Sequence, residues 1–204
     1  DESPNIGWFI WWKAQKVLSC RVKPNSDPTN TPSSWSLISA PWFYLQDRNT
    51  THDIQCRYDD RIQSRTSTQS QWSWFRWKVH ATWVFSWTWS VWQTRLYINW
   101  NLITTWNQRI DAPSGIVNTS MRLWRNSSTY FAANIRDARI YTFTWSFTDA
   151  DALAIYNWGE PTSAGVTKYL HYKPPVGEVG TTTQDQSPND RDWTLNGWVT
   201  RNYI

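Results

Sequence analysis

The stretch from residue 134 to residue 157 constrains the fold most, because its pattern predicts a strand, a turn and one short helix. In the strand, Ala138 and Ile140 point to one side while Arg139 and Tyr141 point to the other. This period-2 alternation is typical of a strand with one buried face. The residues before the stretch show similar short patterns, so we expect a chain built mainly of sheets.

The helix in this stretch is predicted by its start and stop signals. Thr148 stands at the N-cap position, Asp149 lies in the first turn, and Asp151 follows the cap by three residues. This spacing is that of a capping box, with carboxylates at the positive end of the helix. Gly159 and Pro161 then indicate where the helix has stopped.

Turn residues divide the rest of the chain into short strands of regular spacing. This pattern predicts an all-β fold, a two-sheet antiparallel sandwich with one short helix near residues 148–157. Ala152, Leu153 and Tyr156 share one face of the helix. The predicted strands before residue 134 are 16–23, 35–40, 42–46, 53–58, 61–66, 75–85 and 94–98.

The closing stretch resembles that of laminin-G-like, concanavalin-A-like jelly-roll domains. In that family a strand of the type I-D-D-V-R-I-Y precedes a helix of the type T-D-x-E-I-x-x-L-Y. The matching residues are Ile135, Asp137, Ala138, Arg139, Ile140, Tyr141, Thr148, Asp149, Asp151, Ile155 and Tyr156. Arg136 stands where the family has the first aspartate of its pair. The resemblance implies a jelly-roll sandwich and a class of partners, but no reaction.

The chain divides into a predicted sandwich over residues 1–158 and an extension over residues 159–204. Residues 181–200 of the extension resemble the opening segment of these domains, D-x-S-G-N-x-x-D-G-T-L-x-G, which is missing from the start of this chain. The matching residues, predicted to link subunits, are Thr181, Asp185, Ser187, Asp190, Thr194, Leu195 and Gly197.

This displaced segment leaves two arrangements open. It returns to its own sandwich as a circular permutation, or it completes the sandwich of a neighbouring subunit. Exchange between subunits, which we favour, produces a filament unless it closes into a ring. The proline-rich connection over residues 173–177 serves as an extended spacer in both arrangements.

The distribution of charged and apolar residues disfavours nucleic acid as a partner and a membrane span within the chain. The 20 basic and 16 acidic residues give a net charge of +4 and are well mixed along the chain. This pattern indicates a solvated surface and disfavours a nucleic-acid-binding stripe. No apolar run approaches the roughly 18 residues of a membrane span. Because the chain begins at Asp1 without methionine, we expect a mature product, a processed fragment or a partial sequence.

Cysteine and histidine usage gives no metal motif. Cys20 and Cys56 lie in predicted strands, where they form a disulfide or stay as two buried free thiols. His52, His80 and His171 are isolated in the sequence, which makes a zinc or redox site improbable.

Calcium is the one cofactor that the resemblance implies, since relatives often hold this ion near the rim of the sandwich. Asp111, in a loop, and Asp137 are the candidate ligands, because calcium takes oxygens from carboxylates and carbonyls. The alternative for Asp137 is a structural pair with a strand neighbour such as Arg139.

The sequence predicts no catalytic site. Glycosidases on this type of sandwich generally use two carboxylates that flank the scissile bond. The only glutamates are Glu2, Glu160 and Glu178, and none lies in a predicted core strand. Asp59 and Asp60 are adjacent in a turn and therefore point apart.

Tryptophan and glycine counts are unusual, with 19 Trp and 7 Gly, where average usage near 7% would give about 14 Gly. Trp100 follows Asn99 in a hairpin turn that favours Asn-Gly, and Trp124 and Trp193 also stand where the family has glycine. One hypothesis is that many of these tryptophans are glycines in the real molecule, because the source reads the codon UGA as glycine and the translation assigned it to tryptophan. The alternatives are a tryptophan-rich surface and a sequence inferred from a density map. The tryptophan count therefore gives no support for a sugar-binding face.

Together these features predict a non-enzymatic structural or adhesive subunit of an extracellular or viral assembly, at a cell or virion surface. Its expected partners are copies of itself, with surface glycans as further candidates. The alternative is a carbohydrate-binding, lectin-like module, and a glycan-active enzyme is less favoured.

Overall fold

A computed structural model describes residues 15–24, 35–40, 43–48, 53–58, 62–65, 79–88, 91–108, 122–123, 125–126, 129–130, 133–173, 182–188 and 193–194. These residues form strands and one helix, α1 (Asp149–Tyr156). The strands in chain order are β1 (Gln15–Pro24), β2 (Trp35–Ala40), β3 (Phe43–Arg48), β4 (Asp53–Tyr58), β5 (Ile62–Arg65), β6 (Val79–Thr88), β7 (Val91–Ile98), β8 (Asn101–Gln108), β9 (Arg122–Leu123), β10 (Arg125–Asn126), β11 (Thr129–Tyr130), β12 (Ala133–Phe143), β13 (Val166–Tyr172), β14 (Thr182–Thr183) and β15 (Trp193–Thr194).

Two larger antiparallel sheets account for most of these strands. One has the order β13-β12-β1-β6-β7-β8 and the other the order β5-β4-β3-β2-β9. Strand β1 contacts β2, and β5 contacts β7 and β8, so the two sheets lie against each other. The all-β sandwich predicted from the sequence is confirmed. Two further strand pairs are β10-β11 and β14-β15.

The six-stranded sheet is buried on both faces at its centre. Leu18 and Cys20 of β1 and Trp83 of β6 are fully buried on one face. On the other face, Val17 of β1 and Tyr141 of β12 belong to an apolar cluster that includes residues of α1. The prediction of one exposed face for β12 is therefore wrong, because α1 covers the side that carries Arg139 and Tyr141.

Helix α1 begins as its sequence predicts. The Asp151 amide donates to Thr148 Oγ1 at 3.3 Å, and the Thr148 amide donates to Asp151 Oδ2 at 2.8 Å. These reciprocal bonds form a capping box, which satisfies amides that have no partner within the helix. Ala152 and Ile155 are buried, whereas Leu153 is exposed.

The hairpin between β7 and β8 turns at Asn99 and Trp100, which have φ values of 47° and 67°. Positive φ at both central residues is what a type I′ turn requires. The Asn99 amide donates to the His80 carbonyl at 2.8 Å, and the His80 amide donates to Asn99 Oδ1 at 3.0 Å. The turn is thus joined to the neighbouring strand β6. Trp124, in contrast, lies outside the described residues.

Candidate functional site

The most concentrated polar structure among the described residues is a buried ion cluster around Asp137. Arg139 Nε donates to both Asp137 oxygens at 2.9 Å, and Arg139 Nη2 lies 2.9 Å from Oδ2. His171 Nε2 lies 2.7 Å from Oδ1, and Arg21 Nε lies 3.8 Å from Oδ2. Both Asp137 and Arg139 have side chains only 2% exposed, so the pair is shielded from water. We name Arg21, Asp137, Arg139 and His171 the Asp137 cluster.

Strand register brings the cluster together. Arg21 of β1 lies opposite Asp137 of β12, and Arg139 of β12 lies opposite His171 of β13. Directly opposed residues of an antiparallel pair point to the same face, so three strands contribute to one site. The alternative considered for Asp137, pairing with Arg139, is the arrangement that the structure has.

The cluster is also connected to the chain around α1. Arg139 Nη1 donates to the Gly159 carbonyl at 2.7 Å and to the Tyr141 hydroxyl at 3.2 Å. The Tyr141 hydroxyl in turn donates to Glu160 Oε2 at 2.9 Å, and Lys168 forms an ion pair with Glu160. These contacts hold the chain that leaves α1 against strands β12 and β13.

Arg21 binds the carboxyl end of α1. Its Nη2 donates to the carbonyl oxygen of Ile155 at 3.1 Å and to that of Tyr156. A cation is favourable there, because the last carbonyls of a helix have no partner within it and carry partial negative charge. The cluster therefore fixes α1 to the sheet in addition to filling a polar part of the interior.

The pKa of Asp137 reports the balance within the cluster. Burial alone would raise this pKa, but hydrogen bonds from His171 and Arg139 and the charge of Arg139 lower it to about 2. The carboxylate is therefore ionised at neutral pH. Burial would lower the pKa of Arg139, but its bonds and charge interaction with Asp137 raise it instead.

The contacts of Asp137 determine whether its carboxylate is free to bind calcium, as the sequence predicted. Both Asp137 oxygens already contact cationic groups, so a calcium ion would have to displace Arg139 or His171 from them. No group of three or more His, Cys, Asp or Glu side chains suited to a metal occurs among the described residues. Asp111 lies outside them.

Asp185 anchors the C-terminal segment at the edge of the six-stranded sheet. Its carboxylate accepts from the His171 amide at 2.8 Å and from the Ser187 amide at 2.9 Å. The Ser187 hydroxyl is 3.0 Å from the Tyr169 carbonyl, and the Gln186 amide donates to the His171 carbonyl at 2.9 Å. Asp185 is 95% buried and forms an antiparallel bridge with Tyr172. We name Asp185, Gln186 and Ser187 with their partners on β13 the edge clasp.

The other residues predicted to link subunits are distributed as follows. Thr194 lies in β15, where it pairs with Thr182 of β14. Thr181, Asp190, Leu195 and Gly197 lie outside the described residues. These four stay predictions. Asp185 and Ser187 both bond to the edge strand β13.

Of the two alternatives for Cys20 and Cys56, a disulfide or two buried free thiols, the structure has no disulfide at Cys20, which is a free and fully buried thiol. Burial raises its pKa, with the charge of Asp137 adding to the effect. Such a thiol is unreactive, since the thiolate is the reactive form. The side chain of Cys56 lies outside the described part of the chain.

A Ser–His pair that sequence reasoning missed lies under α1. Ser19 Oγ is 2.6 Å from His80 Nε2, and the Thr82 hydroxyl lies 3.3 Å from Ser19 Oγ. All three residues are at least 97% buried, and the Tyr156 ring packs near the imidazole. Burial, together with the charge of Arg21, lowers the pKa of His80 to about 3. A neutral imidazole without access to substrate serves structure, so the pair supports no hydrolytic role.

No helix in the described part of the chain is both long and apolar enough to cross a bilayer. No family model matches the chain, and no curated protein matches it. Comparison with solved structures does find similar folds.

The receptor binding domain of botulinum neurotoxin mosaic serotype C/D aligns with a TM-score of 0.52 and 17% identity. A structure described as showing that cell entry of botulinum neurotoxin type C depends on interaction with two ganglioside molecules aligns with a TM-score of 0.50 and 15% identity. The first alignment covers 76% of this chain and 38% of the other, and the second covers 74% and 37%. This chain thus corresponds to well under half the length of those neighbours. The likeness supports the sandwich fold alone.

Proposed function

We propose that this chain is a non-enzymatic structural or adhesive subunit of an extracellular or viral assembly, in which copies are joined through the C-terminal segment. The observation that supports this function most is the edge clasp. An open sheet edge is a template for pairing with another chain. Here residues 182–188 lie beside β13 and bond to it through Asp185, Gln186 and Ser187.

The clasp suits exchange between copies because its contacts are local to the segment and the edge strand. The same bonds form whether the segment comes from its own chain or from a neighbour. The connection over residues 174–181 contains Pro174 and Pro175. A proline-rich connection favours extended conformations at about 3.1 Å per residue, so these residues reach up to about 25 Å. Such a distance is sufficient to bridge two sandwiches that lie side by side.

Four groups of catalytic type near α1 are engaged in structural roles. Of the carboxylates on the side of α1, Glu160 pairs with Lys168, and Asp149 accepts from the Tyr97 hydroxyl at 2.7 Å. Ser19 and His80 are closed off by α1. These four groups therefore have a structural partner or are buried.

Assembly is tested by light scattering and electron microscopy of the purified chain over a range of concentrations. We expect linked particles or filaments, and we expect a variant with Asp185→Ala and Ser187→Ala to lose them. Thr167→Ala is the matched control, because Thr167 lies on the same edge strand with an exposed side chain. A parent chain that stays monomeric at all concentrations overturns the proposal.

A glycan-binding role is the second candidate, and it rests on fold alone. The ganglioside interaction named for the type C neurotoxin structure gives a class of ligand to test. A glycan array probed with the chain, with and without calcium, separates the two candidates. Binding by a monomeric chain would support the lectin-like role, whereas assembly without glycan binding would support the structural one.

A further inference from the structure

Three described residues other than glycine have positive φ, namely Asn99, Trp100 and Trp158. Asparagine adopts this conformation readily, because its short polar side chain bonds locally. Tryptophan does not, since its Cβ lies too close to the following carbonyl oxygen. Two of the three unusual positions are thus occupied by a residue that is poorly suited to them.

Trp100 has φ of 67° at the second central position of the β7-β8 hairpin. In a type I′ turn this position strongly favours glycine, and asparagine followed by glycine is the preferred pair. The chain supplies the asparagine, Asn99, and that residue makes the two bonds to β6. Trp100 stands at the position where this pair has its glycine.

Trp158 has φ of 67° immediately after the Asn157 C-cap of α1. Its amide donates to the Ile155 carbonyl at 3.1 Å, and the Gly159 amide donates to the Ala154 carbonyl at 2.8 Å. These two bonds define a Schellman motif, in which the left-handed residue is usually glycine. Two unrelated motifs therefore place tryptophan at the position that each reserves for glycine.

Side-chain burial points in the same direction. Trp100 and Trp158 are 46% and 48% exposed, whereas Trp83 fills the core at 0% exposure. The Trp158 ring does lie over the Arg21 guanidinium at 3.9 Å. Arg21 is already held by two helix carbonyls and by Asp137, however, so its position does not require the indole.

We propose that positions 100 and 158 are glycine in the protein as its natural source makes it, because the source reads as glycine a codon that is translated here as tryptophan. This inference concerns the covalent structure of the chain and is independent of its assembly. It also separates two kinds of tryptophan: core residues such as Trp83 stay tryptophan, and left-handed surface positions do not.

The first test is mass spectrometry of the protein purified from its natural source. We expect an intact mass below the 24.2 kDa of the printed sequence, with peptide fragmentation showing glycine at positions 100 and 158 and tryptophan at position 83. Tryptophan at either of the first two positions overturns the proposal for that position.

A second test uses the recombinant chain with the printed sequence. Trp100→Gly and Trp158→Gly should each raise the folding equilibrium constant about tenfold, because glycine removes the left-handed cost. Trp100→Ala and Trp158→Ala should give no such gain, since alanine retains a Cβ. Trp145→Gly is the matched control: Trp145 is 78% exposed and is not among the residues with positive φ. Equal effects of glycine at positions 100, 145 and 158 would contradict the reasoning.

Discussion

Replacing Asp137 by asparagine should destabilise the fold more than any single change at the surface. The substitution keeps the size of the side chain but removes the negative charge that faces Arg139, His171 and Arg21. The Arg139 side chain is only 2% exposed, so water cannot reach its guanidinium to replace the lost carboxylate. Removing one member of a buried ion pair costs about 3 to 5 kcal/mol. Because asparagine still offers one oxygen to Arg139, we expect about 3 kcal/mol.

Urea unfolding of the parent and of Asp137→Asn measures this cost. The midpoint should fall while the slope stays the same, which shows that stability and not the extent of unfolding has changed. Asp149→Asn is the matched control, because its side chain is 74% exposed and its ion pair with Arg95 is long, at 3.9 Å. Surface pairs contribute about 0 to 1 kcal/mol, so the control should lose at most that amount.

A double variant separates charge imbalance from a general packing defect. Arg139→Met removes the buried cation, so adding it to Asp137→Asn should cost less than the sum of the two single changes. A loss of less than about 1 kcal/mol in the free energy of unfolding for Asp137→Asn would refute the reasoning, because breaking a buried ion pair costs more than this. Strict additivity in the double variant would show that the two residues do not act as a pair.

Three further outcomes follow from the described contacts. Stability should fall as pH drops from about 4 towards 2, because the pKa of Asp137 is lowered to about 2 in the folded state from the ordinary 3.8. The stabilisation by the Asp137 carboxylate is complete above the unfolded pKa and is lost as the folded carboxylate is protonated. Urea unfolding across this pH range measures the effect, and Asp137→Asn should show a weaker pH dependence. Thr148→Ala should cost about 1 kcal/mol by thermal or urea unfolding through loss of the N-cap, and Thr148→Ser should restore most of it. Cys20 should resist a thiol reagent in the native state and react after unfolding, while rapid native labelling of Cys20, located by peptide mapping, would contradict its full burial.

Local signals in the sequence predicted the elements that depend on neighbouring residues. Thr148 and Asp151 define the start of α1 because a capping box needs only residues three apart. Asn99 marks the hairpin because a type I′ turn needs only two central residues. Strands such as β4 were found at the predicted bounds, since turn residues flank them.

The polar interior could not be predicted in the same way, because it depends on strand register. Ser19 and His80 are 61 residues apart in sequence and meet only because β1 pairs with β6. His171 joins Asp137 only because β13 pairs with β12. Nothing in the sequence indicates which strands are neighbours, so these histidines appeared isolated. The second role of Asp151 was missed for the same reason: its carboxylate also accepts from the Thr162 and Ser163 amides, at 2.9 and 3.0 Å.

The chain after α1 is tied down from two directions, and this has a practical consequence for building fusions. Arg139 donates to the Gly159 carbonyl, and the Asp151 carboxylate accepts from the Thr162 and Ser163 amides. The short segment between α1 and β13 is therefore held in a fixed position. An inserted peptide there would pull α1 off the sheet. Trp100, between Asn99 and Asn101 in the β7-β8 hairpin, is 46% exposed, which makes this turn the better place to display foreign sequence.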